Sequence, residues 1–163
     1  VPVEGERPRP EIYELKWTEE DFANTPANML PLGESEDEWV VGDLEQGFAA
    51  IKLAIGMLDV SEDIERIKSV REFLPSDVDL MIDANHAYNS RTAKQLAKQI
   101  EDLDIFWLED PLSQDDIPGY RSLRASTSIP LAGGETLSGR PAFRDILVED
   151  IFDVISLSAL PIP

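Results

Sequence analysis

Three carboxylates recur at even spacing, each at the end of an apolar run. Asp83 closes VDLMIDAN, Glu109 closes IFWLEDP and Glu135 closes IPLAGGET, with 26 residues from each acid to the next. One β/α unit takes roughly 25–40 residues, so one acid falls in every unit. Parallel strand ends that repeat this way lie side by side on a carboxyl-terminal rim. Carboxylates crowded there repel one another unless a cation lies between them. Hard oxygen donors of this kind select Mg2+ or Mn2+. Taken singly, each acid reads equally well as a helix cap or a loop acid. The metal reading rests on the repeat.

The sequence between the acids supplies elements that would position them. Residues 48–56, 77–85, 104–111, 129–135 and 152–158 read as strands, near-continuous apolar runs bounded by Gly, Pro or Asp. Residues 61–74 read as a helix capped by Ser61, with Ile64, Ile67 and Val70 on one face. Residues 90–103 form the next helix, again behind a serine, and 118–125 and 140–148 two more. Residues 36–46 read as a short helix stopped by Gly47. Residues 1–35 form an irregular segment, with a short strand at 11–17 and a loop through Pro26 and Pro31. The domain assignment is therefore 1–35 for that segment and 36–163 for the folded unit. Alternating strands and helices predict an α/β fold whose parallel sheet is covered on both faces.

Composition narrows the function classes. The 163 residues suffice for one domain but are few for a closed eight-stranded barrel, which needs about 250. Without cysteine there are no disulfides, thiolate metal sites or cysteine nucleophiles. The net charge of −19, from 33 acidic and 14 basic residues, repels nucleic-acid phosphates. No run is apolar enough to suggest a membrane span or signal peptide, so the expectation is a cytoplasmic protein. Only five residues are Lys, and an acidic, Lys-poor surface suits high salt, as in halophiles.

The quoted segments carry a family resemblance. GFAAIKLAIG, MIDAN, WLEDP and IPLAGGE, in this order, resemble the barrel domain of the enolase superfamily, in its mandelate racemase and muconate lactonising branch. The similarity runs from about residue 43 to 155. It implies a partial (β/α)8 TIM-type barrel with about six parallel strands, the second to fifth ending in Lys52, Asp83, Glu109 and Glu135. It further implies that the three acids bind Mg2+, which holds a small carboxylate substrate while a base removes its α-proton to give an enediolate. Lys52 is then the catalytic-site lysine, alternatively a surface residue whose stem snorkels. Asn85 and Asp110, beside the acids, would orient them, or Asn85 merely caps a turn. His86, the sole histidine, would touch substrate or sit exposed in a loop. Phe106, Trp107 and Tyr88 read as packing residues.

Departures from the family pattern set the expected activity. Members with a lysine base carry Lys-x-Lys on the second strand, and this chain has Lys52-Leu53-Ala54. Ser158 falls where the sixth strand would end in Asp or Lys. Strands seven and eight and the capping domain have no counterpart, which suggests a fragment, or a half that pairs with another chain and leaves a homo-oligomer open. The implied activity is an acid-sugar dehydratase, alternatively a racemase or cycloisomerase of the same branch, or a metal-binding remnant in which the chain alone turns nothing over. From a different class, a doubly wound α/β binding protein also gathers acids at its strand ends. The charge reading is testable on its own: the thermal midpoint should rise between low and molar KCl, as screening relieves self-repulsion. A flat or falling midpoint would contradict it.

Overall fold

The computed structural model describes residues 49–157. The strand at 11–17, the helix at 36–46 and Ser158 lie outside them. The order is β1 (Ala50–Ala54), α1 (Val60–Phe73), β2 (Asp79–Asp83), α2 (Ser90–Ile100), β3 (Ile105–Glu109), α3 (Ile117–Arg124), β4 (Leu131–Gly133), α4 (Gly139–Val148) and β5 (Val154–Ile155). All four strand pairings are parallel, and the spatial order equals the chain order. Five strands are thus described where about six were expected.

Among the described residues the helices cover one face of the sheet, not both. Buried residues of all four helices, among them Ile67, Leu96, Leu123 and Ile146, join one cluster with Ile51, Leu80, Ile82, Leu108 and Leu131. Met81, Trp107 and Ala132 form a separate small cluster with Ala50 and Val154. Side chains alternate along a strand, so these are the two faces of the sheet. Helices on one side and sequential strand order fit a stretch of β/α barrel and exclude double winding, which puts helices on both sides. The strands read as apolar because one face packs on helices and the other carries the small Met81–Trp107–Ala132 cluster.

One irregularity sets which side chains face inward. Leu80 pairs with Ile105 but Met81 pairs with Trp107, so Phe106 is left over as a bulge. Without that extra residue the alternation would turn Glu109 to the helix side. Phe106 is accordingly 41% exposed, not packed as its type suggested.

The helix starts differ by one or two residues from expectation. Asp59, not Ser61, precedes α1, with its backbone N–H donating to the Glu62 carboxylate at 3.1 Å. Asn89, not Ser90, caps α2, its Oδ1 accepting from the N–H groups of Arg91 and Thr92. Asp116 caps α3 by accepting from Gly119 N–H at 2.9 Å. No helix among the described residues is long and apolar enough to cross a membrane.

The loops after β1 and β2 are tied to α1 by Asp63, which is fully buried. Its Oδ2 accepts from Gly56 N–H at 3.1 Å and Tyr88 O–H at 2.6 Å, and its Oδ1 accepts from Arg66 at 3.3 Å. Tyr88 is therefore a hydrogen-bonding anchor as well as a packing residue. Gly56 has φ +96°, and a Cβ there would lie 2.4 Å from Ala87 Cβ and 3.0 Å from the Ala84 carbonyl. Gly56→Ala should cost about 2 kcal/mol or more, lowering the thermal midpoint by several degrees in circular dichroism. A midpoint within a degree of the parent would show that this junction does not constrain the rim.

Candidate active site

Lys52, Asp83 and Glu109 come from adjacent strands and meet on the inner face at the carboxyl ends. Lys52 Nζ lies 3.1 Å from Asp83 Oδ2 and 3.2 Å from Glu109 Oε2. Both carboxylates are buried. Burial by itself would lower the Lys52 pKa, but the facing Glu109 and Asp83 charges outweigh it and hold the ammonium above its ordinary value. Lys52 is therefore a cation of the site, not a snorkelling surface residue.

Glu109 is held from several sides. Its Oε2 also accepts from Trp107 Nε1–H at 3.1 Å, and its Oε1 accepts from Ser156 O–H at 3.0 Å. Sequence reading missed both contacts. Trp107 lies two residues before Glu109, hence on the same strand face, and that spacing was the available signal. Ser156 follows inward-facing Val154 by two residues in the same way. The strand was read as running to 158, whereas β5 ends at Ile155 and puts Ser156 beside Glu109.

The remaining acid stands apart. β4 ends at Gly133, so Glu135 lies two residues into the following loop and is exposed rather than closing the strand. Its carboxylate joins His86 and Asp110, with one donor atom from each residue lying within 4.8 Å of the others. Asn85 is exposed and orients Asp83 through its backbone, whose N–H donates to Asp83 Oδ1 at 3.1 Å. His86 is half-buried, its Nδ1 2.8 Å from the Leu112 carbonyl, rather than exposed in a loop. Asp110 is buried, with Oδ2 3.9 Å from His86 Nε2.

This rim is strained. Asn85, His86 and Asp110 all have positive φ, at +44°, +61° and +40°. Backbone hydrogen bonds from His86 to Asp110 (2.7 Å) and from Asp110 to Ala132 (3.0 Å) hold the loops together. Gly133 belongs to the same packing, since a Cβ there would meet Asp110 Oδ1 at 2.6 Å and the Phe152 ring at 2.7 Å. The donor set fits a hard divalent cation. Asp83 and Glu109 are buried oxygen donors already gathered about a positive charge, and Glu135 is near enough for its charge to act on Asp110 beside Glu109.

Comparison with known proteins identifies the family. Residues 38–161 match the family described as enolase C-terminal domain-like. The L-talarate/galactarate dehydratase of Salmonella typhimurium is 33% identical over 120 residues, covering 74% of this chain and 30% of that protein. The D-galactarolactone cycloisomerase of Agrobacterium fabrum is 38% identical over 110 residues, covering 68% and 29%. Among solved structures, L-talarate dehydratase from Polaromonas, complexed with Mg and L-glucarate, aligns with TM-score 0.71 at 30% identity, covering 77% and 36%. The chain belongs to the enolase superfamily, in its mandelate racemase and muconate lactonising branch. It spans about a third of the length of these relatives.

The charge crowding has a measurable consequence at Asp110. Burial pushes its carboxyl up from 3.8 to about 6, opposed by His86 and reinforced by Glu109, Glu135 and Asp83. A carboxyl with a raised folded pKa binds its proton more tightly folded than unfolded. Its stabilising contribution is present below about pH 4 and lost as pH rises through about 6. Asp110→Asn should therefore stabilise the metal-free protein at about pH 8 by on the order of 1–2 kcal/mol, with the gain gone by about pH 4. Equal midpoints for the two proteins at pH 8 would contradict the crowding.

Proposed function

We propose that this chain is a Mg2+-dependent domain that binds a small carboxylate, of the sugar-acid class, for chemistry at the carbon next to the carboxylate. The observation that carries the reading is the Lys52 ammonium held between two buried carboxylates at the strand ends. Asp83, Glu109 and Glu135 would hold the ion. When bound, it would act as a Lewis acid that draws electron density from the substrate carboxylate. Lys52 keeps a fixed positive charge on the same face, where negative charge grows as an α-proton leaves. Trp107 and Ser156 fix the Glu109 carboxylate so that it does not reorient as that charge changes.

Proton removal is the weak point of this chain. Ala54 pairs with Asp83 across β1 and β2, and its methyl group is exposed on the inner face. A lysine there would face the substrate, and alanine has no group to accept a proton. Retention of Lys52 with loss of a base at 54 favours descent from a dehydratase that took the proton from the opposite face. The similarity to an acid-sugar dehydratase points the same way, and the cycloisomerase marks the runner-up.

The test combines binding with exchange. Galactarate should bind at least about tenfold more tightly with Mg2+ than without. Exchange of its α-proton in D2O should be very slow in the parent, since a placed base is worth about 10²–10⁴-fold. Ala54→Lys should raise metal-dependent exchange by about 10²-fold or more. Binding indifferent to Mg2+ would contradict the reading, and parent exchange as fast as that of Ala54→Lys would contradict the role given to position 54.

A further inference from the structure

The Lys52–Asp83–Glu109 cluster is internally paired, but a second group on the rim is not. His86 Nε2 and Asp110 Oδ2 are both buried and have no hydrogen-bond partner among the described residues. They face each other at 3.9 Å, too far for a hydrogen bond. The Asp110 side chain is only 2% exposed, so water does not compensate it from bulk. A buried carboxylate oxygen left unpaired costs several kcal/mol. The imidazole orientation is set from its other side. The Leu112 carbonyl, which also accepts from Tyr120 O–H at 2.8 Å, can only accept from His86 Nδ1. Nδ1 therefore carries hydrogen, which makes Nε2 the ring nitrogen that could bind a cation on the Asp110 side. A cation between Nε2 and Asp110 Oδ2 would give both buried atoms a partner. Bonds from nitrogen and oxygen donors to such an ion are each about 2 Å, so closing the 3.9 Å gap by about half an ångström would let both reach one tetrahedral ion. Glu135 supplies a third donor within 4.8 Å.

We propose that His86 Nε2, Asp110 Oδ2 and Glu135 form a second cation site beside the Asp83–Glu109 pair, taking a divalent metal that accepts imidazole nitrogen, of which Zn2+ is the simplest probe. The nitrogen donor is what separates the two sites. The Asp83–Glu109 side is all oxygen and suits Mg2+, whereas imidazole favours later first-row metals. Glu135 is exposed and would be shared between the two sites. His86 and Asp110 lie outside the Mg2+ ligand set, and the second site rests on the Mg2+ reading only through the shared Glu135.

The 163-residue chain contains one histidine, so its imidazole resonances need no assignment. Zn2+ is titrated into the Mg2+-saturated chain while the two ring nitrogens are followed by NMR. One equivalent should shift Nε2 strongly and leave Nδ1 in its hydrogen-bonded position. Asp110→Asn should weaken the effect about tenfold or more, as should Glu135→Gln, which is exposed and spares the fold. Glu109→Gln should leave it intact. An Nε2 signal that ignores Zn2+ would overturn the proposal. So would unchanged Zn2+ affinity in both Asp110→Asn and Glu135→Gln, which marks adventitious binding to a histidine. Loss of the effect in Glu109→Gln alone would assign the zinc to the other cluster and overturn it equally.

Discussion

Lys52 lies within 3.2 Å of two buried carboxylates, and that arrangement dictates much of what surrounds it. Taking Asp83 and Glu109 out of water is costly unless a positive charge compensates them, and removing one partner of such a group typically costs about 3–5 kcal/mol. Three strands must therefore deliver three side chains to one face at one height. The parallel register of β1 with β2 does so directly, aligning Ala54 with Asp83 and placing Lys52 one pleat below on the same face. β3 needs a correction of one residue. The bulge at Phe106 supplies it, at the expense of exposing a large aromatic ring. In this account the exposed phenylalanine is the consequence of turning Glu109 inward.

The two faces of the sheet divide the remaining work. The helix side carries the large apolar core, with Leu80, Ile82 and Leu108 fully buried. That core fixes the strands, so the rim can tolerate strain and unpaired polar atoms. The inner side is thinner, with Met81, Trp107 and Ala132 beneath the polar cluster. Trp107 belongs to both regions, since its ring packs in the small cluster and its N–H reaches Glu109. The rim loops are pinned by backbone hydrogen bonds and by Asp63 from below. Positive φ at Asn85, His86 and Asp110 is thereby sustained in residues other than glycine.

Much of this was legible in the chain because strand ends in a parallel repeat are marked by sequence. Asp83 and Glu109 were visible as acids closing apolar runs, and Lys52 as a charge inside one. That the described helices gather on one face was not visible in the strands themselves, since apolar runs with helices on one side and on both sides look alike. The bulge was invisible too, because IFWLE is apolar either way and only pairing with β2 reveals the extra residue. The contact of Ser156 with Glu109 was not legible because an apolar run does not state where pairing stops, and β5 ends at Ile155. Glu135 was placed on a strand end, whereas Gly134, at φ +111°, turns the chain before it. Asn89 and Asp59 took the caps expected of Ser90 and Ser61, since the cap is the last residue to stay extended before the first helical turn.

The central claim is that Asp83 and Glu109 belong to a divalent-cation site and are not merely partners of Lys52. Calorimetric titration of the 163-residue chain with Mg2+ tests this most directly, run alongside Glu109→Gln. The account predicts one Mg2+ bound per chain and a strong loss of affinity in the variant, because a full negative ligand charge is removed while the shape is kept. Mg2+ binding of equal strength in Glu109→Gln, or none in the parent, would contradict it and leave the three residues as a structural ion-pair cluster.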